Sequence, residues 1–375
     1  MKKLFILAAA IIALASCQKE QATYVEDGSI KFTTMETRAL TQTATSDIED
    51  LKNGGFKVLG YAGSVEIFNN EQATKKEGNS KVWWEMANKK YWADNTEYNF
   101  FASYSAYTDE NYKFESIASD AKTSATLKSF KNTGNDDLIL AGTNVKTTTG
   151  SNGAGRGDAH MTFKHALSRV AFKFVNAYES TGTLGENGTA NTIALKIENL
   201  ALVNEAGSAD VTIDNKDTED EGGVSDKKSL SNITWSELTN KSDISYMNDG
   251  VFGDSEQNFI AQNNNVVSAY KYILPAENRK LTLKCKITAL DSDGNTIRVF
   301  DFTGKNDETE AKDPLTVTLS TPENAQADAT LLTHVAGQSY TYTMTVSETL
   351  NEIKFTVDVE DWVDNAEQGI EFPNK

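Results

Sequence analysis

Strict alternation of apolar and polar residues is the feature that most limits how this chain can fold. In QSYTYTMTVS, Tyr340, Tyr342, Met344 and Val346 share one parity while Thr341, Thr343 and Thr345 take the other. Successive side chains of a strand point to opposite faces, so such a run offers one face to a core and one to water. NEIKFTVDVEDW repeats the pattern with Ile353, Phe355, Val357 and Val359. Joined through ETLNE, the two runs predict an antiparallel hairpin with one buried face. Further strands are expected over 170–175, 193–197, 270–274 and 281–287, and helical periodicity is scarce. A chain of 375 residues exceeds what one hydrophobic core usually serves. The expectation is therefore an all-β protein of two sandwich domains.

The N-terminus reads as an export signal. Lys2 and Lys3 precede an apolar run from Leu4 to Leu14, and Leu14-Ala15-Ser16-Cys17 follows. The run is too short to span a bilayer as a helix, which takes about 20 residues. Leu-Ala-Ser-Cys resembles a bacterial lipobox, and that resemblance makes Cys17 the acylated first residue of a lipoprotein. Each acyl methylene buried in lipid contributes about 0.8 kcal/mol to such an anchor. The following QKEQ resembles the short signals that send some lipoproteins to the outside of the outer membrane. Loss of residues 1–16 removes two lysines and no acids, taking the formal charge from -18 to -20. A surface so acidic is repelled by nucleic acid.

Catalytic and metal-binding signatures are missing. His160 and His165 stand five residues apart, which on one strand puts them on opposite faces, and no Cys accompanies them. His165 reads as a hydrogen-bonded core or turn residue. Once Cys17 is acylated, Cys285 has no partner for a disulfide, and its parity with Leu283 and Ile287 predicts a buried thiol. DSDGN, residues 291–295, lacks the glycine spacing of a calcium loop and reads as a hairpin turn. The acidic stretch 214–223 reads as a solvated loop. KTTTGSNGAGRGDAH, residues 146–160, reads as an exposed loop near a domain junction. No enzyme, cofactor or metal is expected. Trp83, Trp84 and Trp92 lie in an aromatic stretch that either fills a core or offers a glycan-binding surface.

Several stretches together resemble the fimbrillin, or type V pilin, family: FKVLGYAG (56–63), Trp83 and Trp92 leading to YNFFASYSAY, DDLILAG (136–142), MTFKHALSRVAFKF (161–174) and the closing hairpin. They occur in the family's order and span most of the mature chain. Where family members often have Tyr-Ser-Pro, this chain has Tyr104-Ser105-Ala106. The resemblance implies two transthyretin-like Greek-key β-sandwich domains in tandem. The expected division is a signal peptide over 1–16, a lipidated leader over 17–38, and domains over 39–158 and 159–375. It also implies proteolysis after an arginine, and GSIKFTTMETRALTQ puts the cut between Arg38 and Ala39.

Within the leader, Ile30, Phe32 and Thr34 alternate as a short strand whose removal would expose a sheet edge and an apolar groove. A strand from another subunit can fill such a groove, and head-to-tail contacts of this kind build filaments. Ile370 and Phe372 alternate as a donor's residues should, though Pro373 would end the pairing. Stalk, tip and anchor roles stay open. The partners expected are other fimbrial subunits, outer-membrane lipid through Cys17 before processing, an arginine-specific protease, and a ligand on a host or bacterial surface. The alternative is a permanently anchored lipoprotein that binds glycans through the three tryptophans.

Overall fold

The structure, a computed structural model, describes residues 27–36, 55–78, 81–104, 113–116, 122–149, 158–179, 181–184, 190–215, 232–247, 252, 259–276, 281–304, 315–317, 334–347 and 355–361. The described residues form strands joined by turns and contain no helix. In chain order the first nine are β1 (Lys31–Glu36), β2 (Phe56–Ala62), β3 (Val65–Gly78), β4 (Lys81–Met86), β5 (Glu97–Tyr104), β6 (Phe114–Ser116), β7 (Ser124–Asn132), β8 (Ile139–Lys146) and β9 (Ala159–His165). There follow β10 (Ser168–Asn176), β11 (Thr181–Leu184), β12 (Ala190–Asn191), β13 (Ala194–Asp214), β14 (Asn232–Trp235), β15 (Thr239–Ser245), β16 (Phe259–Ile260) and β17 (Asn265–Val267). The last are β18 (Lys271–Ile273), β19 (Leu281–Leu290), β20 (Thr296–Asp301), β21 (Leu315–Val317), β22 (Gln338–Val346) and β23 (Phe355–Asp361). The all-β expectation holds.

Seven strands close into a barrel in the order β1-β4-β3-β2-β5-β8-β9. Neighbours that are all antiparallel must alternate in direction, and a ring of seven cannot do so without one exception. The exception is the parallel contact of β1 with β9; every other neighbouring pair is antiparallel. β1 thus supplies the one parallel seam of the barrel. β9 starts at Ala159, where the second domain was expected to begin, and is hydrogen bonded to β8 and β1.

The wall formed by β2, β5 and β8 carries a core on each face. Phe56, Val58, Tyr98, Phe100, Ala102, Ile139 and Ala141 point into the barrel. Leu59, Tyr61, Phe101 and Leu140, of opposite parity, pack with Leu127 and Phe130 of β7 and Val211 and Ile213 of β13. β13 joins the two halves of the chain. Its first part pairs with β19, from Ala194 opposite Leu290 to Leu202 opposite Leu283, and its second part pairs with β7, from Gly207 opposite Asn132 to Asp214 opposite Ser124.

The remaining core lies between two sheets. Val170, Phe172 and Phe174 of β10 and Tyr340, Tyr342, Met344 and Val346 of β22 face Leu195 and Ile197 of β13 and Leu283, Cys285 and Ile287 of β19. The expected hairpin partners are paired: β22 and β23 run antiparallel from Gln338 opposite Asp361 to Met344 opposite Phe355. DSDGN is the turn between β19 and β20. The Asp291 amide donates to the Asn295 carbonyl at 3.0 Å, and Gly294 takes φ of +82°.

Candidate functional site

The parallel seam is where the most N-terminal described strand, β1, closes the barrel. β1 changes partners along its length. Lys31 and Phe32 pair with Glu85 and Trp84 of β4, whereas Phe32 to Glu36 pair with Ala159 to Phe163 of β9. Phe32 alone belongs to both registers. Thr34 stands opposite Met161 in the second of them.

Phe32 is wholly buried, and three phenylalanines meet its ring edge-on. The centroid distances are 5.2 Å to Phe100, 6.1 Å to Phe56 and 6.2 Å to Phe68. Edge-to-face contacts of this kind add to the large apolar area that an aromatic ring buries. Gly60 makes the room. A Cβ there would come within 2.8 Å of Phe68 and 2.9 Å of Phe100, closer than packed atoms allow. Ile30 is also buried, and its amide donates to the Lys90 carbonyl at 2.7 Å.

Charged side chains hold the start of the segment. The Asp27 carboxylate accepts from Lys89 Nζ at 2.8 Å, from Lys31 Nζ at 3.0 Å, and from the Ser29 amide at 3.1 Å. These donors, Lys89 foremost and then the Ser29 hydroxyl, hold the Asp27 carboxyl far below its ordinary range against the opposing effect of burial. Asp27 in turn raises the Lys89 ammonium above its usual value. On the other side, Thr33 Oγ1 and His160 Nδ1 are hydrogen bonded at 2.7 Å, tying β1 to β9.

Phe32 and Thr34 lie in β1, Ile30 directly precedes it, and Ile30 and Phe32 are both buried. Cys17, Arg38, Ala39, Ile370 and Phe372 lie outside the described residues. Trp83, Trp84 and Trp92 are 2 %, 5 % and 5 % exposed. Trp92 meets Tyr98 edge-on at 4.7 Å, and Trp84 lies 5.9 Å from Phe56. Their rings fill the core, so the glycan-surface reading loses the open aromatic faces it requires. Trp84 and Trp92 pack inside the barrel, whose small bore large inward side chains close, whereas Trp83, of opposite parity to Trp84 on β4, is buried outside that cluster with its indole Nε1 donating to Glu85 Oε2 at 3.2 Å.

His160 and His165 do share β9 and do face opposite ways: His160 is exposed and His165 buried. His165 Nδ1 is bonded to Asp137 Oδ2, whose other oxygen accepts from the Leu138 amide at 2.8 Å. Among the described residues no cluster of His, Cys, Asp and Glu could hold a metal. Burial drives the Cys285 thiol up to about 12, leaving it unreactive. The residues that alternation missed are Asp27, Lys31 and Lys89. No local pattern links residues 62 apart, and Lys31 is buried although its parity is that of an outward position.

Residues 37–362 match the model of the family described as fimbrillin-like. No curated protein matches the chain. Among solved structures it is similar to a fimbrial protein from Bacteroides vulgatus, at 16 % identity and a TM-score of 0.46, covering 89 % of this chain and 99 % of that one. It is also similar to the fimbrial anchor protein Mfa2 from Porphyromonas gingivalis, at 12 % identity and a TM-score of 0.32, covering 90 % and 99 %. A fimbrial assembly protein from Parabacteroides distasonis matches at 10 % identity and a TM-score of 0.37, covering 88 % and 98 %.

Proposed function

The chain belongs to the fimbrillin-like family, and on that premise we propose that it is a structural or accessory subunit of a cell-surface fimbrium whose assembly starts with loss of β1. The precursor is exported, acylated at Cys17 and held on the outer membrane. An arginine-specific protease then cuts between Arg38 and Ala39. Chain order supports a single release step: Cys17 and β1 both precede Arg38, and β1 ends at Glu36, two residues before it. One scission separates the remainder from its lipid and from its closing strand together. The chain acts through assembly, with no catalytic role.

The observation that carries this reading is the place of β1 between β4 and β9, with Phe32 buried in the barrel. Its departure leaves two sheet edges facing one slot and an aromatic pocket open at the slot's centre. Native proteins avoid leaving such edges unpaired. An extended strand from another subunit satisfies both edges and fills the pocket, and repetition of that step extends a polymer. The Arg38→Ala variant tests the mechanism. It should stay monomeric and lipid-anchored on cells, and normal fibres formed by it would refute the proposal.

A further inference from the structure

The two most exposed large apolar side chains among the described residues, Val65 at 63 % and Tyr91 at 59 %, lie at one end of the barrel, the end at which β1 begins. Tyr91 belongs to the turn that follows β4, and that turn is laced to the residues ahead of β1. Tyr91 bridges Ser29, and the Trp92 amide donates to the Gly28 carbonyl at 3.2 Å. Val65 opens β3 at the tip of its turn with β2, where the Gly63 amide donates to the Glu97 carbonyl at 2.7 Å. Both turns therefore border the same rim. Its charges partly cancel: Asp27 holds Lys31 and Lys89, and Lys146 Nζ lies 3.7 Å from Glu97. Lys90 makes no ion pair among the described residues, while Glu66, Asp94 and Asp158 add negative charge. Single exposed apolar side chains are ordinary on protein surfaces. What sets these two apart is where the chain is tethered.

Cys17 precedes Asp27 by ten residues, and ten peptide steps span at most about 36 Å whatever their conformation. Acylation of Cys17 thus keeps this rim within that distance of lipid. Resting on the anchoring reading above, we propose that the rim is a membrane-contact surface: in the acylated precursor Tyr91 and Val65 enter the headgroup layer of the membrane that holds Cys17, and Lys90 reaches a lipid phosphate. Tyrosine suits that layer, since its ring is apolar and its hydroxyl stays hydrated. A tether this short holds the rim over the lipid at an effective concentration on the order of millimolar, so a contact too weak to retain the free protein is still made. The contact is apolar in origin, because the acids of the rim outweigh the one unpaired lysine, and it gains nothing from anionic lipid. It fixes the orientation of the anchored precursor, with this end of the barrel toward the membrane. It is lost together with the acyl anchor, because stable retention at a bilayer takes more than one weak signal.

The test uses the full-length precursor purified from membranes, with the acyl group on Cys17 checked by mass, and reconstituted into phosphatidylcholine vesicles that carry a nitroxide on some headgroups. A thiol-reactive fluorophore is placed at Ser64→Cys or Asn88→Cys on the rim, or at Asp293→Cys on the turn between β19 and β20; Cys17 is acylated and Cys285 is buried, so the label goes to the introduced thiol. The labels at positions 64 and 88 should be quenched by the nitroxide more strongly than the label at 293. Adding Tyr91→Ser and Val65→Ser should remove that excess while the protein stays acylated, folded and bound to the vesicles. Replacing part of the phosphatidylcholine with phosphatidylglycerol should not raise it. Equal quenching at all three positions overturns the inference and leaves anchoring standing, and so does an excess that survives loss of both apolar side chains or that depends on phosphatidylglycerol. A precursor whose Cys17 carries no acyl group overturns the anchoring reading, and the membrane contact with it.

Discussion

The ring of Phe32 meets that of Phe100 at 89°, with centroids 5.2 Å apart, and the two residues sit on strands that are not neighbours in the barrel. A contact across the bore means that β1 stabilises the interior as well as its two edges. Phe32→Ala should therefore destabilise the intact chain by about 3–5 kcal/mol, the usual cost of deleting a buried phenylalanine. Denaturant unfolding checks this on the intact chain.

The Asp27 clamp gives the leader a dependence on pH. Its carboxyl titrates lower when folded than its ordinary value of 3.8. Above 3.8 the group is ionised in both states and its stabilisation is complete. As pH falls below 3.8 the unfolded state takes up the proton first, so the contribution drains toward the folded value. The protection factor of the Ile30 amide hydrogen, its exchange rate referred to that of an unstructured amide at the same pH, should fall from pH 5 to 3 in the wild type. In Asp27→Asn the protection factor should be lower throughout and flatter with pH, since the charged clamp to Lys89 is gone.

Asp137 and His165 bring together two of the stretches that carry the family resemblance, DDLILAG and MTFKHALSRVAFKF. Both side chains are buried, and Ala166 donates its amide to the Leu138 carbonyl at 2.8 Å beside them. His165→Ala should cost about 1–3 kcal/mol, because the carboxylate of Asp137 is left buried with one partner fewer. Thermal unfolding of the variant measures the loss.

Cys285 should resist alkylation in the folded protein at pH 8 and react fully in denaturant. With its thiol wholly buried and raised to about 12, almost no thiolate forms below that pH. Mass spectrometry after iodoacetamide treatment reads the difference directly.

Much of the fold was legible wherever a strand buries one face. β22 alternates because its other face is less buried, and the alternation of Ile30, Phe32 and Thr34 marks the place of β1, which starts one residue after Ile30. β5 was not read as a strand. Its stretch EYNFFASY buries Phe100 in the barrel and Phe101 in the neighbouring core, which erases alternation. β13 was read only over a few residues of its 21. Positive φ at Asn199 and Asn204 and register shifts against its partners change its parity partway, so no single period describes it. The three tryptophans were ambiguous for a related reason: composition reports aromatic content, while only the packing of the folded chain decides which rings are covered. The seam itself depends on contacts between residues 27–36 and residues near 85 and 160, and no local pattern carries that information.

The central claim is that the assembled subunit has lost β1. Mass spectrometry of the N-terminus of this chain in fibres sheared from cells tests it most directly. The account predicts a chain beginning at Ala39, free of lipid and of residues 31–36. Polymerised chains that still carry Phe32 on the same polypeptide as Ala39 would contradict it.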